Sequence, residues 1–287
     1  MRRIMIQYFP FYREQTVPHS VLQLAYQAYM AKEFKTAIYL YKEVIANDEH
    51  LAEAHLFLAE SLRKTRLLSE ALSHFNKALE TITDNPMAYL SRGLAKLQSG
   101  QFDESILDFE ITLRMRPMHE GALSYRGEAY RNLCRFEEAL ADFNQILTTL
   151  DRDSYALSRR GTILLDRPSD DKAQDYKLAM QDYNLSLEIT PDDSFTLAWR
   201  GELLRRDGRL ELAMMDFNAA LRLDPEDTFA QAQLTLTRNA YFAVSPTVKD
   251  SDASRLGDFG MFKAIVESVV NAGLDDAITT IDDSMHH

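Results

Sequence analysis

The stretch EGALSYRGEAYRNLCRFEEALADFNQILTTLDRD, Glu120 to Asp153, decides the fold, because its pattern recurs on both sides at a fixed spacing. Leu123, Gly127 and Tyr130 mark one apolar helical stripe, Ala139, Phe143 and Ile146 mark a second, and a turn falls between them near Cys134 and Arg135. The unit is therefore a pair of helices in 34 residues, and its repetition predicts a stack in which each unit touches only its neighbours.

Glycine in the middle of the first helix costs about 1 kcal/mol relative to alanine, so its repetition needs a compensation, expected to be a close helix crossing. The small position reads Ala25, Ala59, Gly93, Gly127, Gly161 and Gly201, at intervals of 34 residues except the last, which is 40. The second helices carry Ala37, Ala71, Ser105, Ala139, Ala179 and Ala213, each followed four residues on by Tyr41, Phe75, Phe109, Phe143, Tyr183 or Phe217. Six units result: Pro18 to Leu51, Ala52 to Asn85, Pro86 to Pro117, Glu120 to Asp153, Ser154 to Asp193 and Ser194 to Asp227. Pro18 and Pro86 sit where a first helix opens, and Asn85 stands at the N-cap. The six extra residues of the fifth unit, around Arg167 to Asp171, are expected to lengthen its turn.

The order of small residue, aromatic, Ala, Phe, Ala and Pro in these units resembles the tetratricopeptide repeat family. The resemblance implies an all-α solenoid of six such helix-turn-helix repeats over residues 18–244, closed by a capping helix at 228–244 where Thr235 and Arg238 replace the small and aromatic residues. Residues 1–17 are expected to cover the first repeat with Ile4, Ile6, Phe9, Phe11 and Tyr12. Residues 245–257 read as a polar linker. Phe259, Phe262, Ile265, Val266, Val269 and Val270 recur at helical spacing in 258–273, and 274–287 form an acidic tail.

The family's binding surface is its concave face, lined by first helices, and the resemblance carries that lining over by position. In the first three repeats it comprises His19, Leu22, Tyr26, Tyr29, Leu56, Glu60, Arg63, Met87, Leu90 and Leu94. It continues with Ser124, Glu128, Arg131, Tyr155, Ser158, Thr162, Phe195, Ala198, Glu202 and Arg205. Apolar groups dominate the first half and polar groups the second, a face suited to a peptide or helix of a partner protein. A carboxylate clamp for chaperone C-termini, known in one branch of the family, needs Lys, Asn and Arg where this chain has Leu22, Tyr26, Phe57, Met87 and Ser91, so that partner is disfavoured.

Four repeats share a pair that two lack. Arg92, Arg126, Arg160 and Arg200 precede the glycines, and the same repeats carry Asp108, Asp142, Asp182 and Asp216 before the second-helix aromatic. Where Leu24 or Leu58 replaces the arginine, Leu40 or His74 replaces the aspartate, which predicts a salt bridge within each of the four, exposed and of little net stability. A net charge of −12 without a basic cluster argues against nucleic acid and modestly favours a basic or apolar protein segment.

No run is long and apolar enough for a membrane span, and the single cysteine, Cys134, fits a reducing, cytoplasmic compartment. No phosphate loop, paired-histidine metal motif or nucleophile with its base is visible, so neither catalysis nor a cofactor is expected. The expected function is a non-catalytic scaffold or adaptor. Alternatives are a structural subunit self-assembling through its repeat ends or residues 258–273, and an adaptor autoinhibited by that segment.

Overall fold

The computed structural model describes residues 19–47 and 51–244. The segment 1–17, the linker 245–257, the helical stripe 258–273 and the tail 274–287 lie outside the described residues. Thirteen helices and no strand are found among those described. First helices are α1 His19–Met30, α3 Ala52–Lys64, α5 Pro86–Gln98, α7 Glu120–Asn132, α9 Ser154–Asp166 and α11 Ser194–Arg206. Second helices are α2 Phe34–Asn47, α4 Leu68–Leu79, α6 Phe102–Met115, α8 Phe136–Thr149, α10 Lys172–Ile189 and α12 Leu210–Leu223, and α13 Thr228–Val244 follows.

The chain divides into two compact units, one reaching Thr196 and one starting at Leu197. In the first, each helix packs on the next, and first helices also touch one another, α1 on α3, α3 on α5 and α5 on α7. In the second, α13 packs on α12, burying Ala230 and Leu234 while Thr235 and Arg238 stay exposed.

Local chemistry sets the helix boundaries. The Asn85 side chain accepts hydrogen bonds from the Met87 and Ala88 amides at 2.9 and 3.4 Å, with Pro86 in the first turn. Asp153 caps α9 through the Ala156 amide at 2.6 Å, and Asp227 caps α13 through Phe229 and Ala230 at 2.9 and 3.0 Å. The turn between paired helices uses one left-handed residue at the same place in five repeats: Lys32, Arg66, Gly100, Cys134 and Gly208, with φ of 61°, 65°, 80°, 57° and 79°. Glycine adopts that conformation freely, whereas the side chains of the other three are strained in it.

The second-helix aromatics form the centre of every repeat: Tyr41, Phe75, Phe109, Phe143, Tyr183 and Phe217 are all 0% exposed. Their rings explain the glycines. A Cβ at Gly93 would stand 2.6 Å from the Phe109 ring, one at Gly127 2.8 Å from Phe143, and one at Gly161 2.8 Å from Tyr183. The close approach is thus of helix to ring. Ala25 and Ala59, fully buried, take this place in the first two repeats.

The fifth repeat corrects the expectation of a longer turn. Helix α10 has 18 residues against 12 to 14 in the other second helices, so most of the insertion adds a helical turn. Asp171 caps this turn by accepting from the Gln174 amide at 3.0 Å. Arg167 fixes it by donating to buried Asp175 at 2.6 and 3.1 Å and to Glu137 of the preceding repeat at 2.9 Å. These hydrogen bonds hold the Asp175 carboxyl below its ordinary value.

Candidate functional site

The arginine–aspartate pairs form as the sequence contrast predicts. Arg92 donates to Asp108 at 2.6 and 2.9 Å, Arg126 to Asp142 at 2.6 and 2.9 Å, Arg160 to Asp182 at 2.6 and 2.8 Å, and Arg200 to Asp216 at 2.7 and 2.8 Å. Their exposure differs from expectation: the aspartates are buried, Asp108 at 1% and Asp142 at 2%. Burial pushes the Asp142 and Asp182 carboxyls up, an effect the guanidinium groups only partly offset.

Arg92 and Arg160 also join repeats. Arg92 donates to Asn76 of the preceding repeat at 3.0 Å, and Arg160 to Asn144 at 2.9 Å. The equivalent residue for Arg126 is Glu110, to which it makes no hydrogen bond among the described residues. A cleft of about 450 Å³ opens at this junction, with Glu110, Arg114, Arg126 and Gln145 among its walls.

On the first-helix face, repeats one and two bring aromatic rings together. The Tyr26 and Tyr29 rings meet Phe57 edge-on at 5.4 and 5.3 Å, and Tyr41 stacks beneath Phe57 at 5.8 Å with an interplanar angle of 8°. Burial pushes the Tyr29 phenol up to about 12. Glu60 receives two hydrogen bonds from Arg63, at 2.5 and 2.9 Å. Leu22, Met87 and Leu94 are half-buried along the same face.

In the following repeats Glu128 stands 3.4 Å from Arg131 and 3.2 Å from Arg159. The Arg159 guanidinium lies 3.7 Å from the centre of the Phe195 ring and 4.9 Å from that of Tyr155. Ser124 is half-buried and Tyr155 is exposed. In the second unit, Glu202 accepts from Arg205 at 2.7 and 2.8 Å and from Arg206 at 2.7 Å. Burial works against the ionised form of Glu202, yet these hydrogen bonds hold its carboxyl below the ordinary value.

Several residues assigned to the lining offer a partner little surface. Leu56, Arg63, Leu90, Ser158, Thr162, Ala198 and Glu202 are buried. Ser158 donates to the Tyr155 carbonyl at 2.9 Å, and Thr162 donates to the Ser158 carbonyl at 3.0 Å while accepting from the Tyr183 hydroxyl at 3.3 Å. Their hydroxyls are satisfied by the repeat itself, so polarity did not signal exposure. The side chain of His19 lies outside those described. Conversely, sequence reasoning omitted Phe57 and Arg159 from the face. Both stand two residues before the small position, and that column, Gln23, Phe57, Ser91, Tyr125, Arg159 and Trp199, was available to read.

A stack of paired helices with Gly or Ala under a buried aromatic defines a class of helical repeat protein. Family models for the tetratricopeptide repeat match residues 22–86, 90–156 and 196–227, and the chain belongs to that family, whose repeats serve protein interaction. DnaJ homolog subfamily C member 3 of Gallus gallus is 25% identical over 156 residues, 53% of this chain and 30% of that protein. Tetratricopeptide repeat protein 13 of Homo sapiens is 25% identical over 161 residues, 54% of this chain and 18% of that protein. The chain thus spans less than a third of the length of either relative. Among solved structures, the APC/C hetero-tetramer Cut9-Hcn1 matches with a TM-score of 0.63 at 14% identity, covering 82% of this chain and 44% of that one, a likeness of fold. No helix among the described residues is long and apolar enough to cross a membrane.

Proposed function

We propose that this chain is a non-catalytic scaffold or adaptor that holds a segment of a partner protein against the face of its first helices. The observation that carries the reading is the uneven chemistry of that face. Tyr26, Tyr29, Met87 and Leu94 leave apolar and aromatic surface half-exposed, whereas Glu128, Arg131 and Arg159 further along form a fixed ionic cluster. Apolar anchors supply affinity and the ionic groups supply register. The partner is expected to be a basic or apolar protein segment, with nucleic acid and a chaperone C-terminal carboxylate both disfavoured.

The test is a selection of displayed random peptides against the full chain, followed by affinities for Leu94→Glu and Leu107→Glu. Leu94 lies on the first-helix face, and Leu107, 59% exposed, lies on second helix α6. Selected peptides are expected to lose about tenfold or more in affinity for Leu94→Glu and to keep it for Leu107→Glu. Loss confined to Leu107→Glu, or in neither variant, would overturn the reading.

A further inference from the structure

Three columns of residues lie at the junction where a repeat meets its predecessor, and in the first repeat all three are apolar. The arginine column faces the second helix before it, since Arg92 donates to Asn76 on α4 and Arg160 to Asn144 on α8. In the second repeat that column holds Leu58, 0% exposed, and in the first it holds Leu24, 51% exposed. The column three residues earlier lines the cleft at the third junction as Leu123; it is buried there and at Leu157, but only half-buried at Val21. The aspartate column holds Leu40, half-buried and packed on the core.

An array end that meets water is expected to be polar. Helix α13 follows that rule, with Gln231, Thr235, Arg238 and Asn239 exposed and Leu236 the one large apolar residue exposed among them. The first repeat breaks it, because Leu24 and Leu40 stand where four later repeats place arginine and aspartate. A leucine that a preceding helix buries in the second repeat is here left facing outward, an unfavourable arrangement unless something covers it.

The chain itself supplies a neighbour of suitable length and place. Counted back by one period of 34 residues, α2, Phe34–Asn47, falls on residues up to 13, and residues 1–17 precede α1 through Pro18. Ile4, Ile6, Phe9, Phe11 and Tyr12 fall in that segment. Gln7 and Pro10 stand where α2 has Tyr41 and Val44, so the segment is not a further copy of the repeat. Attachment gives it an effective concentration on the order of millimolar at the adjoining face, above that of a free second copy. We propose that residues 1–17 of this chain cover the face of Val21, Leu24 and Leu40, taking the place of a preceding second helix and closing that end of the array to other copies.

The experiment is a cross-linking scan in the full chain carrying Cys134→Ser, which removes the exposed native thiol. Ile4, Ile6, Phe9 or Phe11 is replaced by cysteine in turn and paired with Leu24→Cys, or with Leu107→Cys, 59% exposed on α6, as the control. With a short bifunctional maleimide, Leu24→Cys is expected to cross-link within one chain to at least one of the four positions about tenfold faster than Leu107→Cys does. A second readout needs no added cysteine. Ile6→Asp and Phe9→Asp are each expected to raise amide hydrogen exchange in α1 and α2 about tenfold and to leave α8 unchanged.

Cross-links that form only between chains would overturn the cover and give the face to a second copy. Equal rates for Leu24→Cys and Leu107→Cys at every position would overturn it as well. So would exchange in α1 and α2 that both aspartate variants leave at the wild-type rate.

Discussion

Replacing Arg126 by leucine should damage the fold far more than replacing Arg126 and Asp142 together. Asp142 is 2% exposed, and its carboxylate is held by two hydrogen bonds from the Arg126 guanidinium. Breaking a buried pair from one side leaves an uncompensated charge and costs about 3 kcal/mol or more, whereas exchanging both partners for apolar groups of similar volume is often close to neutral. The chain contains a related exchange in its first repeat, which has Leu24, 51% exposed, and half-buried Leu40 where four others have arginine and aspartate.

Arg126→Leu is accordingly expected to lose about 3 kcal/mol at pH 7, and Arg126→Leu with Asp142→Leu to stay within about 1 kcal/mol of wild type. Asp142→Leu alone should cost about 1 kcal/mol, because the guanidinium keeps partial access to water and can rehydrate. Urea unfolding followed by circular dichroism measures the four corners of the cycle, with hydrogen exchange in α7 and α8 reporting the local effect in an array that need not unfold as one unit.

Acid pH adds a second readout. Asp142 already titrates in the folded chain above its unfolded value, and losing the guanidinium raises it further. The folded Arg126→Leu protein then binds a proton the unfolded chain releases, so its deficit should shrink as pH falls through the folded-state value. A deficit below about 1 kcal/mol, together with effects that add in the double variant, would refute the reasoning and return these pairs to the rank of exposed salt bridges.

His74, hydrogen-bonded to His55 between ring nitrogens at 2.8 Å, is pushed down to about 4 by burial and by His55, so the unfolded chain takes up a proton near pH 6.5 that the folded chain refuses. Stability should therefore fall as pH drops from about 6.5 towards 4, and thermal melts of His74→Leu should show a flatter slope over that window. Arg66→Gly should raise stability by about 0.5–1 kcal/mol by relieving a left-handed backbone, read from the urea midpoint, with no gain for glycine at helical Lys64. Gly127→Ala should cost about 1 kcal/mol net despite its gain in helix propensity, since the new Cβ meets the buried Phe143 ring, and Phe143→Leu beside it should recover part of the loss.

Much of this architecture was legible because a repeat is its own control. The switch of Leu24 and Leu58 to arginine in step with Leu40 and His74 to aspartate identified a contact within single repeats, and the structure realises it in four of them. The glycine column revealed crowding but not its source, since helix spacing cannot distinguish an approaching backbone from an approaching ring. The added turn of α10 was illegible for a different reason: it is fixed by Asp171 and Arg167, a cap and an ion pair with no periodic apolar signature. Position alone assigned Ser158 and Thr162 to the binding face, where hydroxyls bonded to their own helix carbonyl groups are buried instead.

The back-reaching arginines have a mechanical side. Arg92 and Arg160 act as rivets across their junctions, each tying a guanidinium to an asparagine of the previous repeat, while the junction at Glu110 and Arg126 has an open cleft in place of a rivet. Where the rivet is missing, the third and fourth repeats are held by the packing of α6 on α7, so that junction would answer to changes in apolar contact more than to changes in charge.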